Sequence, residues 1–258
     1  MHPLLFVLGI PFAGGIVLAL VGHREKAPEV NVGFSLGTFV AACVLTAQVI
    51  ADGPQFVWQR EFFIDPLNVF LVTLTAFVAL TTAIFSRPYM RVERDRGKMT
   101  PPRMRLYHSM YQLFCFTMLL ALMTNNLGIL WVAMEAATLT TVLLVSVYRT
   151  AASLEAAWKY FILCGVGIAQ ALFGTVLIYM AAEKVLGAEG GALLWTNLNA
   201  VKAQLDPDIV TLAFAFLFIG YGTKVGLVPL HNRPPAPLMD SAAIAGLTMR
   251  LVQRREVR

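Results

Sequence analysis

Long, uninterrupted runs of apolar residues constrain this chain more than any other feature of its sequence. The chain contains about seven such runs of about 18–25 residues, the length that a helix needs to cross about 30 Å of hydrocarbon. Because backbone groups in lipid must be satisfied internally, only helices and closed barrels span a bilayer. The runs do not alternate apolar with polar residues, as the strands of a barrel do. The sequence therefore predicts an all-α, polytopic integral membrane protein.

The predicted helices cover nearly the whole chain. They occupy residues 4–22, 32–50, 65–86, 107–124, 127–147, 155–182 and 209–230. The composition agrees, since 58% of the residues are hydrophobic and 14% are charged, against about 45–50% and about 25% in soluble domains. The first run is not typical of a cleaved signal peptide, because Arg24 and Lys26 follow the apolar stretch instead of preceding it.

The distribution of lysine and arginine predicts the orientation of these helices. If the N-terminus lies outside, fifteen of the twenty basic residues fall in inner segments and three in outer segments. The inner segments are then 23–31, 87–106, 148–154 and the residues after 231. Cytoplasmic loops carry such an excess of lysine and arginine. We therefore expect an outside N-terminus, and we attribute the net charge of +5 to topology and not to nucleic-acid binding.

Two loops carry local signals of their own. Residues 90–105 are basic, polar and Pro-containing, which favours an irregular loop. This loop could bind anionic headgroups or a cytoplasmic partner, although topology alone explains its charge. The segment QFVWQREFFIDP favours a short strand or hairpin before a helix. Asp65 followed by Pro66 is typical of a helix start, with a carboxylate N-cap and proline at the first helical position.

Glu135 is the most unusual residue of the predicted helices, because a charge within a bilayer costs a few kcal/mol and marks a functional candidate. It lies about nine residues after Asn126, roughly 13 Å into its helix. Its short side chain cannot reach water from that depth, so it is protonated, paired or beside a wet cavity. We expect Glu135 to carry protons; the alternative is a neutral glutamate that hydrogen-bonds between helices.

Lys159 is a second charged candidate. It lies about one turn from the inner end of its predicted helix. A long side chain can reach the headgroups from there, so snorkelling is one explanation. The other is a buried amine that pairs with Glu135 on the preceding helix.

Lys224 is the third, and its surroundings favour a break in the seventh helix. Broken transmembrane helices with a charge at the break recur in ion transporters. His231, seven residues further on, is either a proton relay, because histidine titrates near physiological pH, or an ordinary interfacial residue. The residues that invite the break are Gly220, Gly222, Gly226 and Pro229.

No cofactor, metal or catalytic site of the chain's own is expected. Cys43, Cys115 and Cys164 have neither CxxC spacing nor a histidine nearby, whereas metal and iron–sulfur sites need clustered ligands. No Ser/His/Asp arrangement is recognisable. The small residues of the sixth helix favour close helix packing and not a nucleotide loop, since no strand precedes them; they are Gly165, Gly167 and Gly174.

Three stretches of the sequence resemble one family. They are FFIDPLNVFLVTLTAFVAL, then WVAMEAATLTTVLLV followed by LEAAWKYFIL, and finally GYGTKVGLVPLHN. They resemble the antiporter-like proton-conducting membrane subunits of respiratory complex I and membrane-bound hydrogenases, most of all the component F branch of hydrogenase-4-type complexes. Their order and spacing match as well, over about residues 3–232.

The resemblance implies roles for matching residues. Glu135 resembles the glutamate of the family's fifth helix, Lys159 a lysine found on the sixth helix of some members, and Lys224 the lysine of the broken seventh helix. In such proteins the glutamate and the seventh-helix lysine form a pair whose association controls the proton affinity of the lysine, and the resemblance implies the same for Glu135 and Lys224. The resemblance also implies quinone, iron–sulfur or nickel–iron centres in partner subunits, which would include further membrane subunits and a peripheral redox arm. It implies that this chain lies in the inner cell membrane.

The end of the chain departs from the family pattern, in which members have about fourteen helices arranged with inverted repeats. We expect residues 1–232 to form the N-terminal half of such a subunit and residues 233–258 to form an aberrant, basic, Pro- and Arg-rich cytoplasmic tail. A frameshift or premature stop would explain this, as would a split subunit completed by a neighbouring chain. An independent cation/proton antiporter and a non-functional structural remnant are the alternative functions.

Overall fold

Seven helices of the structure are long and apolar enough to cross a membrane. The computed structural model describes residues 2–187 and 191–227, and within these ranges it confirms the predicted all-α, multi-pass class. The seven helices are α1 (Pro3–Val21), α2 (Ala27–Asp52), α3 (Pro66–Asp95), α4 (Pro101–Met123), α5 (Leu127–Val145), α6 (Ala151–Leu186) and α8 (Pro207–Val225). A short helix that the sequence did not predict, α7 (Trp195–Val201), lies between α6 and α8.

A two-stranded antiparallel hairpin joins α2 to α3, which confirms the predicted strand signal. Strand β1 (Gln55–Val57) pairs with β2 (Phe62–Ile64) so that Phe56 lies opposite Phe63. The predicted start of α3 is also confirmed. The Asp65 carboxylate accepts a hydrogen bond of 2.8 Å from the Asn68 amide N–H, and the Asn68 side chain accepts one of 2.8 Å from the Asp65 N–H. This reciprocal capping box fixes the helix start.

The basic segment 90–105 is mostly helical, so the prediction of an irregular loop is wrong. Helix α3 continues to Asp95 and α4 already begins at Pro101, which leaves only residues 96–100 outside a helix. Proline at the first helical position starts α4 without loss of a hydrogen bond. Three methionines of this segment anchor both helix ends in the core: Met90, Met99 and Met104.

The packing order follows the chain. Helix α1 packs on α2 and α4, α2 on α3, α4 on α5, α5 on α6, and α6 on α8. One apolar core lies at the end of the bundle that carries the hairpin, and a second lies at the opposite end, around the α3–α4 turn. The hairpin end and the turn end are therefore held by separate clusters of side chains, and α5, α6 and α8 form one side of the bundle.

Helix α8 ends where the glycines predict an interruption. Gly226 has φ +77°, a left-handed conformation that glycine adopts without a steric penalty. The amide N–H groups of Gly226 and Leu227 both donate to the Gly222 carbonyl oxygen at 3.0 Å, which closes the last turn. Pro229, the predicted remainder of the seventh helix and the predicted tail 233–258 lie outside the described residues.

Candidate functional site

The start of α5 sets the depth of Glu135 in the bundle. The Asn126 side-chain oxygen caps α5 by accepting a 2.8 Å hydrogen bond from the Gly128 N–H. Asn126 is held in turn by the hairpin, because its Nδ2 donates to Glu61 Oε2 at 2.8 Å. Trp195, at the start of α7, donates its N–H to the Asn125 carbonyl oxygen at 2.8 Å. These contacts tie the start of α5 to two loops and so fix the height of the helix.

Glu135 lies half-buried near the middle of α5, as the sequence predicted for its depth. Its Oε2 atom is buried and accepts no hydrogen bond from the residues that the structure describes. A buried carboxyl oxygen without a donor is energetically costly, more so when it is charged. This oxygen is therefore the most available proton acceptor of the site.

Lys224 reaches α5 from the last turn of α8. Its Nζ donates a hydrogen bond to Oγ1 of Thr138, a side chain that is only 1% exposed. Thr138 lies three residues after Glu135, so both side chains face the same side of α5. The carboxyl group of Glu135 is close enough to Lys224 for the charges of the two groups to interact. The structure thus places the Lys224 amine on Thr138, about one turn from Glu135 on the same face of α5.

Glu135 and Lys224 are near each other without forming an ion pair. None of the ion pairs among the described residues joins them. The Thr138 hydroxyl accepts the hydrogen bond from the amine, and it donates its own 2.9 Å hydrogen bond to the Met134 carbonyl oxygen. Because Thr138 already donates to the backbone, it can serve Lys224 only as an acceptor.

Small residues bring α8 against α6 and so position Lys224. A Cβ atom added to Gly220 would lie 2.6 Å from the Ala171 nitrogen and 2.6 Å from the Gly167 oxygen. A Cβ atom added to Gly174 would lie 2.9 Å from the Ala213 oxygen. The predicted packing role is therefore confirmed for Gly167 and Gly174, as is typical of membrane helix pairs. Gly165 has nothing within 4 Å of its Cβ position.

Helices α5 and α6 are fixed by a separate contact. The indole Nε1 of Trp131 donates a 2.8 Å hydrogen bond to the Ile168 carbonyl oxygen. Trp131 lies one turn before Glu135 on α5, and Ile168 lies one turn after Cys164 on α6. The indole therefore joins α5 to α6, and the glycine contacts join α6 to α8, so the helices that carry the carboxyl and amine groups are both fixed on α6.

Lys159 lies apart from this arrangement, and its predicted pairing with Glu135 is wrong for this structure. Its side chain is 61% exposed and pairs with Glu155, one turn earlier on the same helix α6. The buried residues of α6 nearest to Lys159 are Ala157 and Cys164, so Lys159 lies on an exposed side of the helix. The alternative explanation, a side chain that reaches the headgroups, agrees with this position. A role of Lys159 in proton translocation stays a prediction.

His231 lies outside the described residues, so both interpretations, a proton relay and an interfacial residue, stay predictions. Sequence reasoning missed Thr138, the residue that holds the Lys224 amine. The available signal was its place three residues after Glu135, which puts both on one helix face. A carboxyl group, an amine and a hydroxyl group enclosed by membrane helices can hold and transfer a proton or bind a small cation.

The chain is similar to known membrane subunits along nearly its whole length. A family described as NADH:quinone oxidoreductase/Mrp antiporter, TM (transmembrane), matches residues 124–250. The match continues past residue 232, the predicted domain boundary, which itself stays a prediction. The hydrogenase-4 component F homolog of Methylacidiphilum infernorum is 44% identical over 248 residues, which cover 94% of this chain and 51% of that protein.

Two further comparisons agree. The NADH-quinone oxidoreductase subunit N of Thioalkalivibrio sulfidiphilus is 26% identical over 234 residues, 90% of this chain and 46% of the relative. The fold matches a chain of the membrane-bound sulfane sulfur reductase, an archaeal respiratory membrane complex, with a TM-score of 0.75 and 19% identity over 89% of this chain and 46% of that one. The chain spans about half the length of these relatives. It belongs to the transmembrane family shared by the NADH:quinone oxidoreductases and the Mrp antiporters.

Proposed function

We propose that this chain is a proton-translocating membrane subunit, or part of one, in a hydrogenase-4-like or NADH:quinone oxidoreductase-like respiratory complex. One observation carries the proposal: Lys224 of α8 reaches the face of α5 that bears Glu135 and binds Thr138 there. Charged groups within membrane helices are expensive and mark ion pathways. An acid on α5 and an amine on α8 give such a pathway two ionisable groups.

The residues of the site supply two places for a proton. In the arrangement described, the Lys224 amine is held by Thr138, and Glu135 Oε2 has no donor among the described residues. Movement of the amine from Thr138 to Glu135 would form an ion pair and favour the carboxylate over the protonated acid. Return of the amine to Thr138 would leave Glu135 free to accept a proton at Oε2. Cycling between these two arrangements couples proton uptake to a small displacement of α8.

Redox chemistry belongs to other subunits in this proposal. Quinone, iron–sulfur or nickel–iron centres would lie in a peripheral arm and in neighbouring membrane subunits of the complex, within the inner cell membrane. Electron transfer there would displace α8 or its continuation and so shift the amine between its two partners. The relatives named above are subunits of such complexes, which supports the assignment.

The test is the substitution Glu135→Gln in the assembled complex, reconstituted into proteoliposomes. We expect proton translocation to fall to a small fraction of the wild-type rate, because glutamine cannot take up a proton. The redox half-reaction of the peripheral arm should continue. Glu25→Gln is the control, since Glu25 is an exposed glutamate in the turn between α1 and α2, outside helices α5, α6 and α8. Proton translocation that is unchanged in Glu135→Gln would count decisively against the proposal.

A second candidate is an independent cation/proton antiporter without a redox partner. The family description, which includes the Mrp antiporters, favours it. Copurification from native membranes distinguishes the two functions. A chain that runs together with quinone-reducing or hydrogenase-type subunits supports the first function, whereas one that exchanges cations for protons in their absence supports the second.

A further inference from the structure

A second set of buried polar side chains lies between α2 and α4, away from Glu135 and Lys224. Its central member is His108 on α4, which is 0% exposed. Neither ring nitrogen of His108 has a hydrogen-bond partner among the described residues. Buried polar groups in proteins are nearly always hydrogen-bonded, to protein or to ordered water. An imidazole enclosed by membrane helices and without a protein partner therefore points to a ligand.

Gln112 extends this polar set along the same face of α4. It lies four residues after His108 and is 1% exposed. Its Nε2 donates to the Asn31 side-chain oxygen at 2.9 Å and to Ser35 Oγ at 3.0 Å, both on α2. These bonds hold the two helices together through polar contacts. They use the side-chain NH₂ group of Gln112 and the side-chain oxygen of Asn31, so the other polar atom of each amide is not used.

The unused halves are complementary. The Asn31 Nδ2 group is a buried donor without a partner, and Gln112 Oε1 is a buried acceptor without a partner among the described residues. A neutral imidazole adds one donor and one acceptor. This mixture of donors and acceptors matches water, which offers both, and buried waters typically make about three hydrogen bonds to such groups. A metal cation would offer nothing to the Asn31 donor.

The surroundings confine the ligand to this place. Toward the hairpin end, α2 and α4 continue as apolar surfaces, with Leu45 and Leu119 both fully buried. Toward α1, Ser109 Oγ donates to the Gly15 carbonyl oxygen at 2.8 Å and closes that side. The polar set is therefore bounded by apolar core on one side and by a helix contact on another.

We propose that His108, Asn31 and Gln112 bind internal water between α2 and α4. The water bridges the imidazole to the two amides and completes their hydrogen bonds. It makes this contact a hydrated polar seam inside an otherwise apolar bundle, separate from the Glu135–Lys224 site on α5 and α8. The proposal does not depend on the direction or the nature of ion transport.

Radiolytic hydroxyl labelling of the full chain in lipid nanodiscs tests the proposal, because a side chain shielded from bulk solvent is oxidised only beside bound water. We expect labelling of His108, resolved for that residue and normalised to its intrinsic reactivity, to be several-fold above that of Met123, which is also on α4, is 0% exposed and lies in the apolar core. In His108→Leu, the normalised labelling of position 108 should fall to the level of Met123. Normalised labelling of His108 no higher than that of Met123 would overturn the proposal.

Thermal unfolding in the same nanodiscs gives an independent readout. We expect His108→Leu to lower Tm, since it leaves the water and the amides short of a partner, and His108→Gln to retain most of the wild-type Tm, since it keeps a donor and an acceptor. Met123→Leu is the matched control for repacking a fully buried side chain of α4. If the imidazole were simply unpaired in an apolar environment, His108→Leu would raise Tm or leave it unchanged, and that result would refute a water site.

Discussion

The substitution Gly220→Ala tests whether backbone contact between α6 and α8 positions the functional lysine. The new Cβ would lie 2.6 Å from the Ala171 nitrogen and from the Gly167 oxygen, both of them backbone atoms that no rotamer change can remove. Ordinary contact begins at 3.4 Å. Helix α8 must therefore move away from α6 by about 0.8 Å, the gap between these two distances. Lys224 lies one turn further along α8 and would be displaced with it.

The magnitude follows from a comparison with Gly165→Ala. Gly165 lies on α6 with nothing within 4 Å of its Cβ position, so alanine there gains only helix propensity, about 1 kcal/mol. Gly220→Ala gains the same propensity and pays for overpacking, about 1–3 kcal/mol. The propensity terms cancel between the two variants. We therefore expect Gly220→Ala to be less stable than Gly165→Ala by about 1–3 kcal/mol, or roughly 2–12 °C in Tm for a chain of this size.

The assay is thermal unfolding of the full chain in lipid nanodiscs, followed by tryptophan fluorescence. Both variants and the wild type are measured in the same lipid and at the same protein concentration. We expect the order of Tm to be Gly165→Ala, then wild type, then Gly220→Ala. A Tm of Gly220→Ala equal to or above that of Gly165→Ala would refute the close α6–α8 contact.

Two other predictions concern single hydrogen bonds. Thr138→Val removes the acceptor of the Lys224 amine while keeping the side-chain shape, so proton translocation in proteoliposomes should fall. Thr138→Ser keeps the hydroxyl and should keep most of the translocation. Equal rates for the two variants would contradict a role for the hydroxyl. Asp65→Ala removes the N-cap side chain that pairs with Asn68 and should lower the free energy of unfolding by about 0.5–2 kcal/mol, measured by thermal unfolding. Asp95→Ala, at the far end of α3, should lower it less. Equal losses of stability would argue against the capping box.

The spanning helices are predictable from sequence because the bilayer fixes their length and polarity. Their ends are not, since hydropathy reports where a helix leaves hydrocarbon and not where its hydrogen bonds stop. Helix α6 has 36 residues and α3 has 30, or roughly 54 Å and 45 Å at 1.5 Å per residue, well beyond about 30 Å of hydrocarbon. Both helices therefore continue through segments that hydropathy assigns to loops.

The candidate site was predictable where a charge contrasts with its apolar surroundings. Glu135 and Lys224 stand out for that reason, and the structure places the Lys224 amine on Thr138, about one turn from Glu135. Thr138 does not stand out, because threonine is ordinary in membrane helices and its role depends on which residue of α8 reaches it. The same limit explains the error at Lys159. Sequence position gives the depth of a residue in the membrane, but which face of the helix is buried follows from packing, and packing leaves Lys159 on an exposed face beside Glu155.

His108 shows a different limit of sequence reasoning. It lies near the beginning of the predicted fourth helix, where a histidine is easily taken for an interfacial residue. Only the packing of α4 against its neighbours makes it fully buried. The amide contacts that place it beside a polar seam join residues more than 70 positions apart in the chain. Such long-range contacts have no periodic signal in the sequence.

The central claim is that Glu135 and Lys224 act as one site, and a double-mutant cycle tests it most directly. Proton translocation would be measured for Glu135→Gln, Lys224→Met and the double variant in the same reconstituted complex. Residues that act as a unit have strongly non-additive effects. We predict that each single substitution removes most of the translocation and that the double variant is no slower than the slower single variant. Losses that add, so that the double variant equals the product of two independent effects, would contradict a shared site.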